Sequence, residues 1–342
     1  MGGNPSSPAQ LGDVQASVAA RATVPLIMWN PPWTLSFILP FGAVSFTVSQ
    51  FLWLLLNLFL ILWSAHNLWR IYANTAAKAY TPWLLVLTFV PASFALVLGQ
   101  ITPLILFGLT SFPYCERKQN RFDTGASAVL ISIKLQLCYL FWLSLLFWVW
   151  RHRLWRIILG ASIAGLAVAL IPALFNPGIY SSYITLCATS GLTTSLDWAA
   201  PTLGNALRVW ISPRPALQFA PIAVGIAWAL YYWQRHKQSW SWRERLPILL
   251  LVSVATSAYA WTFDQVVLLP AIIQSASWIR RKPLTRCLLT TIIVYIAINA
   301  VYFTTKLFLR NDFWYFWMAP SLWLTYLVLQ KQALTAATKR RE

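Results

Sequence analysis

The chain has 342 residues, of which 58% are hydrophobic and only 10% charged, against about 25% charged in an ordinary soluble domain. Mean hydropathy is +0.60, and the 21 tryptophans suit a ring that sits half wet at the level of lipid headgroups. These values exclude a soluble globular domain and predict an all-α, polytopic membrane protein with one integral domain. The net charge of +18 does not argue for a nucleic-acid partner, because the basic residues sit in short loops between apolar segments and read as a topology signal.

In chain order, the opening stretch "MGGNPSSPAQLGDVQASVAARATVPLIMWNPPW" is polar. It has neither a basic n-region nor an apolar h-region, so it is not a signal peptide. Pro32–Phe46 carries a Pro40-Phe41-Gly42 break and reads as a short helix at the membrane interface, the alternative being a crossing that leaves the tail in the cytoplasm. Candidate transmembrane or re-entrant segments follow at Thr47–Trp69, Pro82–Leu98, Ile101–Cys115, Gly125–Trp150, Trp155–Phe175, Ala216–Trp233, Leu246–Trp261, Val266–Ile279, Cys287–Phe303 and Phe313–Leu329. That is about ten. Several fall short of the ~20 residues that cross the hydrocarbon layer. Short helices are tolerated where they pack around a wet cavity. The expected organisation is a partial first outer loop over 1–30, an integral membrane domain over 31–330 and a basic cytoplasmic tail over 331–342.

The Lys and Arg distribution orients these segments. Of the 26 basic residues, 20 fall in loops around Arg70 and Lys78, Arg117 to Arg121, Arg151 to Arg156, Arg235 to Arg245, Arg280 to Arg286, and Lys331 to Arg341. The positive-inside rule makes these loops cytoplasmic. Gly125–Trp150 has such loops at both ends, so it is expected to be a broken hairpin whose apex contains Lys134. A lysine in the apolar run "VLISIKLQL" suggests a functional group or a wet cavity, the alternative being a side chain that snorkels to the outer interface.

The chemistry is then expected on the outer face. Gly99-Gln100 forms a tight turn, with Gln100 free to meet a polar ligand. Asp264, followed by Gln265, falls at another outer turn, where an acid binds a sugar hydroxyl, acts as a base, or caps the next helix. Asp312 reads as a helix cap. The stretch Asn176–Pro215, read as a long loop without structure of its own, holds Asn205, Arg208, Arg214, Asp197 and many hydroxyls and aromatics. It suits a lid, with Arg208 or Arg214 meeting a phosphate, or else a surface loop touching headgroups. Cys115, Cys138, Cys187 and Cys287 are scattered and form no disulfide framework. His66, His152 and His236 sit in or near basic loops and are not expected to bind metal. No P-loop, GxGxxG or nucleophile elbow is present.

The order of these pieces resembles glycosyltransferase family 87, polyprenol-phosphate-sugar-dependent membrane enzymes of the GT-C superfamily. The stretches that carry it are "GGNPSSPAQL", "MWNPPWTLSFILPFGAVSF", "LVLGQITPLILFGL", "GASAVLISIKLQ" and "AWTFDQVVLLPA", spanning roughly Asn4 to Leu329. One departure is Leu137, where the family often has proline. The resemblance implies a GT-C-like helical fold with an outer cavity in the plasma membrane. It implies an inverting, metal-independent transfer of a hexose such as mannose from a polyprenyl-phosphate donor to a lipid or glycan acceptor, with no cofactor and no nucleic acid. It places Gln100, Lys134, Asp264, Gln265, Asn205 and Arg208 around the substrate. The catalytic aspartate and the first helix are expected upstream of Met1, with Asp13 a weak substitute base. A transporter or flippase of a lipid-linked or small polar solute, or a catalytically dead membrane partner, is the alternative.

Overall fold

The structure is a computed structural model that describes residues 15, 28–73, 80–189, 200–280, 286–309 and 311–338. Asp13 and Asp197 lie outside these residues. Among the described residues every regular element is helical. Short helical turns over Pro32–Ala43 lead into α1 (Phe46–Ala73), and α2 (Tyr80–Leu87) and α3 (Val90–Val97) follow. Next come α4 (Thr102–Arg117), α5 (Arg121–Ile131), α6 (Tyr139–His152) and α7 (Trp155–Phe175). Then come α8 (Ile179–Thr189), α9 (Leu203–Trp210), α10 (Ala216–His236), α11 (Trp242–Thr256), α12 (Leu269–Arg280), α13 (Arg286–Phe308) and α14 (Met318–Thr338).

By length and hydropathy four helices qualify as membrane crossings: α1, α7, α10 and Leu289–Phe308 within α13. A fifth arises if α2 and α3, bent by 75° at a short break, count as one. The expected number of about ten is therefore not met by this measure. The reason is visible in α4, α5, α6, α11 and α12, which have 16, 11, 14, 15 and 12 residues. These fall short of the ~20 needed to cross alone. Instead they pack inside the bundle. Leu246 to Thr256 of α11 is buried on every side, as expected of a helix that is apolar all round and central. Tryptophan is likewise used in the interior: Trp242 is buried among Phe112, Phe141, Trp148 and Trp240.

The stretch read as one long loop, Asn176–Pro215, contains α8 and α9 and is corrected accordingly. The break expected at Pro40-Phe41-Gly42 appears as a 3-10 turn over Leu39–Ala43. The Gly99 turn is left-handed at φ 58°, a conformation glycine adopts without a Cβ penalty. Trp53 Nε1 donates to the Gly99 carbonyl at 2.8 Å and ties the turn to α1.

The broken hairpin is present. Gly125 abuts the Ile157 carbonyl, Gly160 abuts that of Phe122, and a Cβ on Gly165 would meet Val129 at 3.9 Å. These pairings run α5 and α7 side by side in the same direction. The α6 helix between them must therefore return to the end from which α5 started. The Arg121 guanidinium, 5.8 Å from the Trp148 ring, closes that end.

This return separates two ends of the bundle. At one, Arg151 donates to Gln238 (2.9 Å), Arg243 to the Tyr72 carbonyl (3.2 Å), and Arg280 lies 5.8 Å from the Trp69 ring. At the other lie the Gly99 turn, the apex after α5, the turn after α11, and the α13–α14 connection. Among the described residues, Arg121, Arg151, Arg243 and Arg280 therefore gather at one end.

Candidate functional site

The end opposite the basic loops is built on the turn between α11 and α12. Residues Thr262–Leu268 form a 3-10 turn that is almost wholly buried. Its register is set by Asp264, whose Oδ2 accepts the Trp261 backbone N–H at 3.0 Å, closing the turn on itself. The other carboxylate oxygen, Oδ1, accepts Thr102 Oγ1 at 2.8 Å and Lys134 Nζ at 2.6 Å. The side chains of Lys134 and Asp264 are only 10% and 2% exposed.

Lys134 reaches this carboxylate because the chain leaves the helix there. Ser132–Leu137 is a 3-10 segment, and Lys134 inside it has non-helical angles (φ −133°, ψ 78°). Its ammonium also lies 5.1 Å from the Phe263 ring. Ser257 Oγ donates to the Gln136 carbonyl at 3.0 Å and fastens the apex to the turn a second time. Snorkelling is thus not what Lys134 does, and Asp264 is more than a cap: it holds the Gly99–Thr102 turn, the hairpin apex and the α11–α12 turn together.

The adjacent α9 is held to the same turn. Thr202 caps α9 by accepting the Asn205 N–H at 3.2 Å. Arg208 is buried and donates to Gln218 Oε1 at 2.5 Å, while Gln218 Nε2 donates to the Ala258 carbonyl at 3.2 Å. Asn205 Nδ2 donates to the Ala200 carbonyl at 3.1 Å, and its Oδ1 is buried without a hydrogen-bond partner among the described residues. Gln265 Oε1 is also buried and has no partner among the described residues. A buried acceptor left unmade costs about 1–3 kcal/mol, so such atoms call for a reason. Gln100 sits half-buried in the turn two residues before Thr102.

The structure therefore brings Lys134 and Asp264 into contact, with Gln265 and the Gln100 turn next to them, and connects Arg208 and Asn205 through Gln218 and Ala258. Arg208 is held by protein rather than displayed on a loop. Sequence reasoning missed Thr102 and Gln218. Both are neutral residues whose role depends on a charged side chain brought from elsewhere, and nothing in their local sequence marks them. It also misassigned Asp312. Asn311, whose Oδ1 accepts the Phe313 N–H at 2.9 Å, is the cap there. Asp312 pairs with Lys306 and accepts Thr262 Oγ1 at 3.1 Å.

Among families of known proteins, the model described as glycosyltransferase family 87 matches residues 29–253. That span takes in the Asn-Pro-Pro entry from Trp29, the Gly-Gln turn and the segment ending in Lys134. The stretches "GGNPSSPAQL" and "AWTFDQVVLLPA" lie outside it. Neither the curated proteins nor the solved structures gave a match.

Proposed function

The chain belongs to glycosyltransferase family 87, and from that premise we propose that it transfers a hexose such as mannose from a polyprenyl-phosphate donor to a lipid or glycan acceptor. The reaction takes place at the end of the bundle opposite the basic loops. That end faces away from the cytoplasm, and the protein is multi-pass in the plasma membrane. The observation that supports this reading best is the convergence of three separate chain segments on the Asp264 carboxylate at that end, beside the buried Gln265 amide oxygen, which has no partner among the described residues.

The chemistry is one displacement. The acceptor oxygen forms a bond to the anomeric carbon while the bond from that carbon to the phosphate oxygen breaks. The acceptor proton goes to a carboxylate base, and the polyprenyl phosphate leaves with its electron pair. Inversion follows from the single displacement, and no metal is required. Lys134 and Asp264 build the site: each neutralises the other, and together they fix the apex beside the Gly99–Thr102 turn. Gln265, Gln100 and Asn205 supply neutral amides for sugar hydroxyls. Arg208 contributes positive charge for the phosphate as it leaves, because preorganised charge aimed at a developing anion is among the largest catalytic effects.

The test is a donor panel. Purified protein in lipid nanodiscs is given mannose and glucose, each as polyprenyl phosphate and as nucleotide sugar, with membrane lipid extract as acceptor. Transfer from a polyprenyl-phosphate sugar alone supports the reading. Transfer only from nucleotide sugars, or ATP-independent movement of the lipid-linked sugar across the bilayer without transfer, overturns it.

A further inference from the structure

The turn between α6 and α7 places an arginine where glycine is the usual residue. Leu154 N–H donates to the Val149 carbonyl at 3.0 Å and Arg153 N–H to that of Trp150 at 3.3 Å. These are the two bonds of a Schellman motif, and they hold Arg153 in the left-handed region at φ 53°, ψ 42°. An L side chain crowds the backbone there and glycine does not. An arginine kept in that conformation points to a use for its side chain.

The surroundings of Arg153 are open and unneutralised. Trp150 and Trp155 flank it and are 72% and 53% exposed. Their rings meet edge to face, with centroids 6.1 Å apart. Arg151, His152, Arg153 and Arg156 are all exposed. Among the described residues the ion pairs are Lys134 with Asp264 and Lys306 with Asp312, so none of these three arginines meets a carboxylate. Arg151 has a neutral partner, Gln238.

The α7 helix fixes the depth of this patch. Trp155–Phe175 has 21 residues and is apolar enough to cross, and at about 1.5 Å per residue it spans the hydrocarbon layer. Its first residue, Trp155, therefore lies where hydrocarbon meets headgroups. One turn deeper, Leu146 on α6 and Ile158 and Leu159 on α7 are exposed as well. The patch thus changes from cationic to indole to aliphatic over a short distance. That sequence matches an anionic phospholipid: arginine forks pair with phosphate oxygens, indoles sit at the headgroup level, and the aliphatic side chains lie along acyl chain.

We propose that the α6–α7 turn is a binding site for an anionic phospholipid of the leaflet at the basic end. Arg153 and Arg156 hold the headgroup phosphate, and Trp150 and Trp155 flank the glycerol region. The bound lipid fastens the return of the hairpin whose apex carries Lys134. The site does not depend on the transferase reading.

The test titrates the full chain in detergent with phosphatidylglycerol or phosphatidylcholine and counts bound lipid by native mass spectrometry. A saturable preference for phosphatidylglycerol is expected. Arg153→Gly and Arg156→Gln are each expected to weaken it about fivefold, the scale of one basic residue at an anionic surface. Arg153→Gly is also expected to unfold at a higher temperature than the parent in phosphatidylcholine nanodiscs, because glycine relieves the left-handed backbone, so its loss of binding does not reflect a damaged fold. Gln119 has the same kind of backbone at φ 58°; Gln119→Gly is expected to gain stability and keep the lipid preference. No preference for phosphatidylglycerol, or a preference that Arg153→Gly leaves intact, overturns the site. An equal loss in Arg235→Gln, an exposed arginine elsewhere at this end, would show diffuse attraction instead of a site. Displacement of the lipid by an equal concentration of inorganic phosphate would assign the patch to a soluble anion and overturn the lipid.

Discussion

Lys134 and Asp264 are 130 positions apart in the chain and 2.6 Å apart in space. The pair is nearly closed to solvent, and it joins a kinked hairpin apex to the turn between two buried helices. Removing one member of such a pair leaves an uncompensated buried charge, which costs about 3–5 kcal/mol, whereas replacing both with apolar groups is often nearly neutral. Lys134→Met and Asp264→Leu are each expected to lower thermal stability sharply in nanodiscs. The double variant is expected to recover most of that loss. Equal losses in the single and double variants would show that the two charges do not depend on each other.

The hairpin itself was legible in the sequence, and so were the three turns that meet at this pair. Each carries its own mark: Gly99 for a left-handed turn, basic loops at both ends of Gly125–Trp150, and an acid between two apolar runs at Asp264. The pairing was not legible, because nothing local to "SIKLQ" or "TFDQV" names a partner so far away. The count of about ten is not confirmed by length and hydropathy, for a related reason. Hydropathy reports that a segment is apolar, and Leu246–Thr256 of α11 is such a segment; its neighbours are protein. The α9 helix was missed because its eight residues make only about two turns and lie inside a stretch read as one long polar loop. Asp312 is not the cap because Asn311 holds that position and Asp312 lies inside the turn, paired with Lys306.

Two glycines set the contact between α5 and α7. A Cβ on Gly125 would overlap the Ile157 carbonyl and one on Gly160 that of Phe122. Backbone cannot yield as a side-chain tip can, so overpacking here costs at least the usual ~1–3 kcal/mol. Gly125→Val and Gly160→Val are expected to reduce folded yield and lower the unfolding temperature. Gly165→Ala, with its nearest neighbour 3.9 Å away, is the control and is expected to be neutral. Unimpaired Gly125→Val protein would mean the helices are not in this contact.

Gln265 keeps a buried oxygen without a partner among the described residues. If that oxygen is reserved for substrate, an apolar replacement removes a cost to folding and a benefit to turnover together. Gln265→Leu is expected to unfold at the same or a higher temperature than the parent and to lose at least about tenfold in kcat/KM. A marked drop in stability would assign Gln265 a structural bond instead.

The orientation of the two ends is testable in cells. In a cysteine-free background, a cysteine at Arg214, beside α9, is expected to react with an impermeant thiol reagent in intact cells. One at Gln238, where Arg151 is bonded, is expected to react only after permeabilisation. The reverse pattern would turn the molecule over in the membrane and place the site on the cytoplasmic face.

The central claim is that a sugar leaves a polyprenyl phosphate in one displacement at this site. The most direct measurement follows the anomeric carbon itself. A polyprenyl-phosphate hexose labelled with carbon-13 at C1 is incubated with the protein in nanodiscs and acceptor lipid, and the product is read by carbon–proton coupling. The account predicts a glycoside product with inverted anomeric configuration. A retained configuration, or a labelled donor that stays intact with an active preparation, would contradict it.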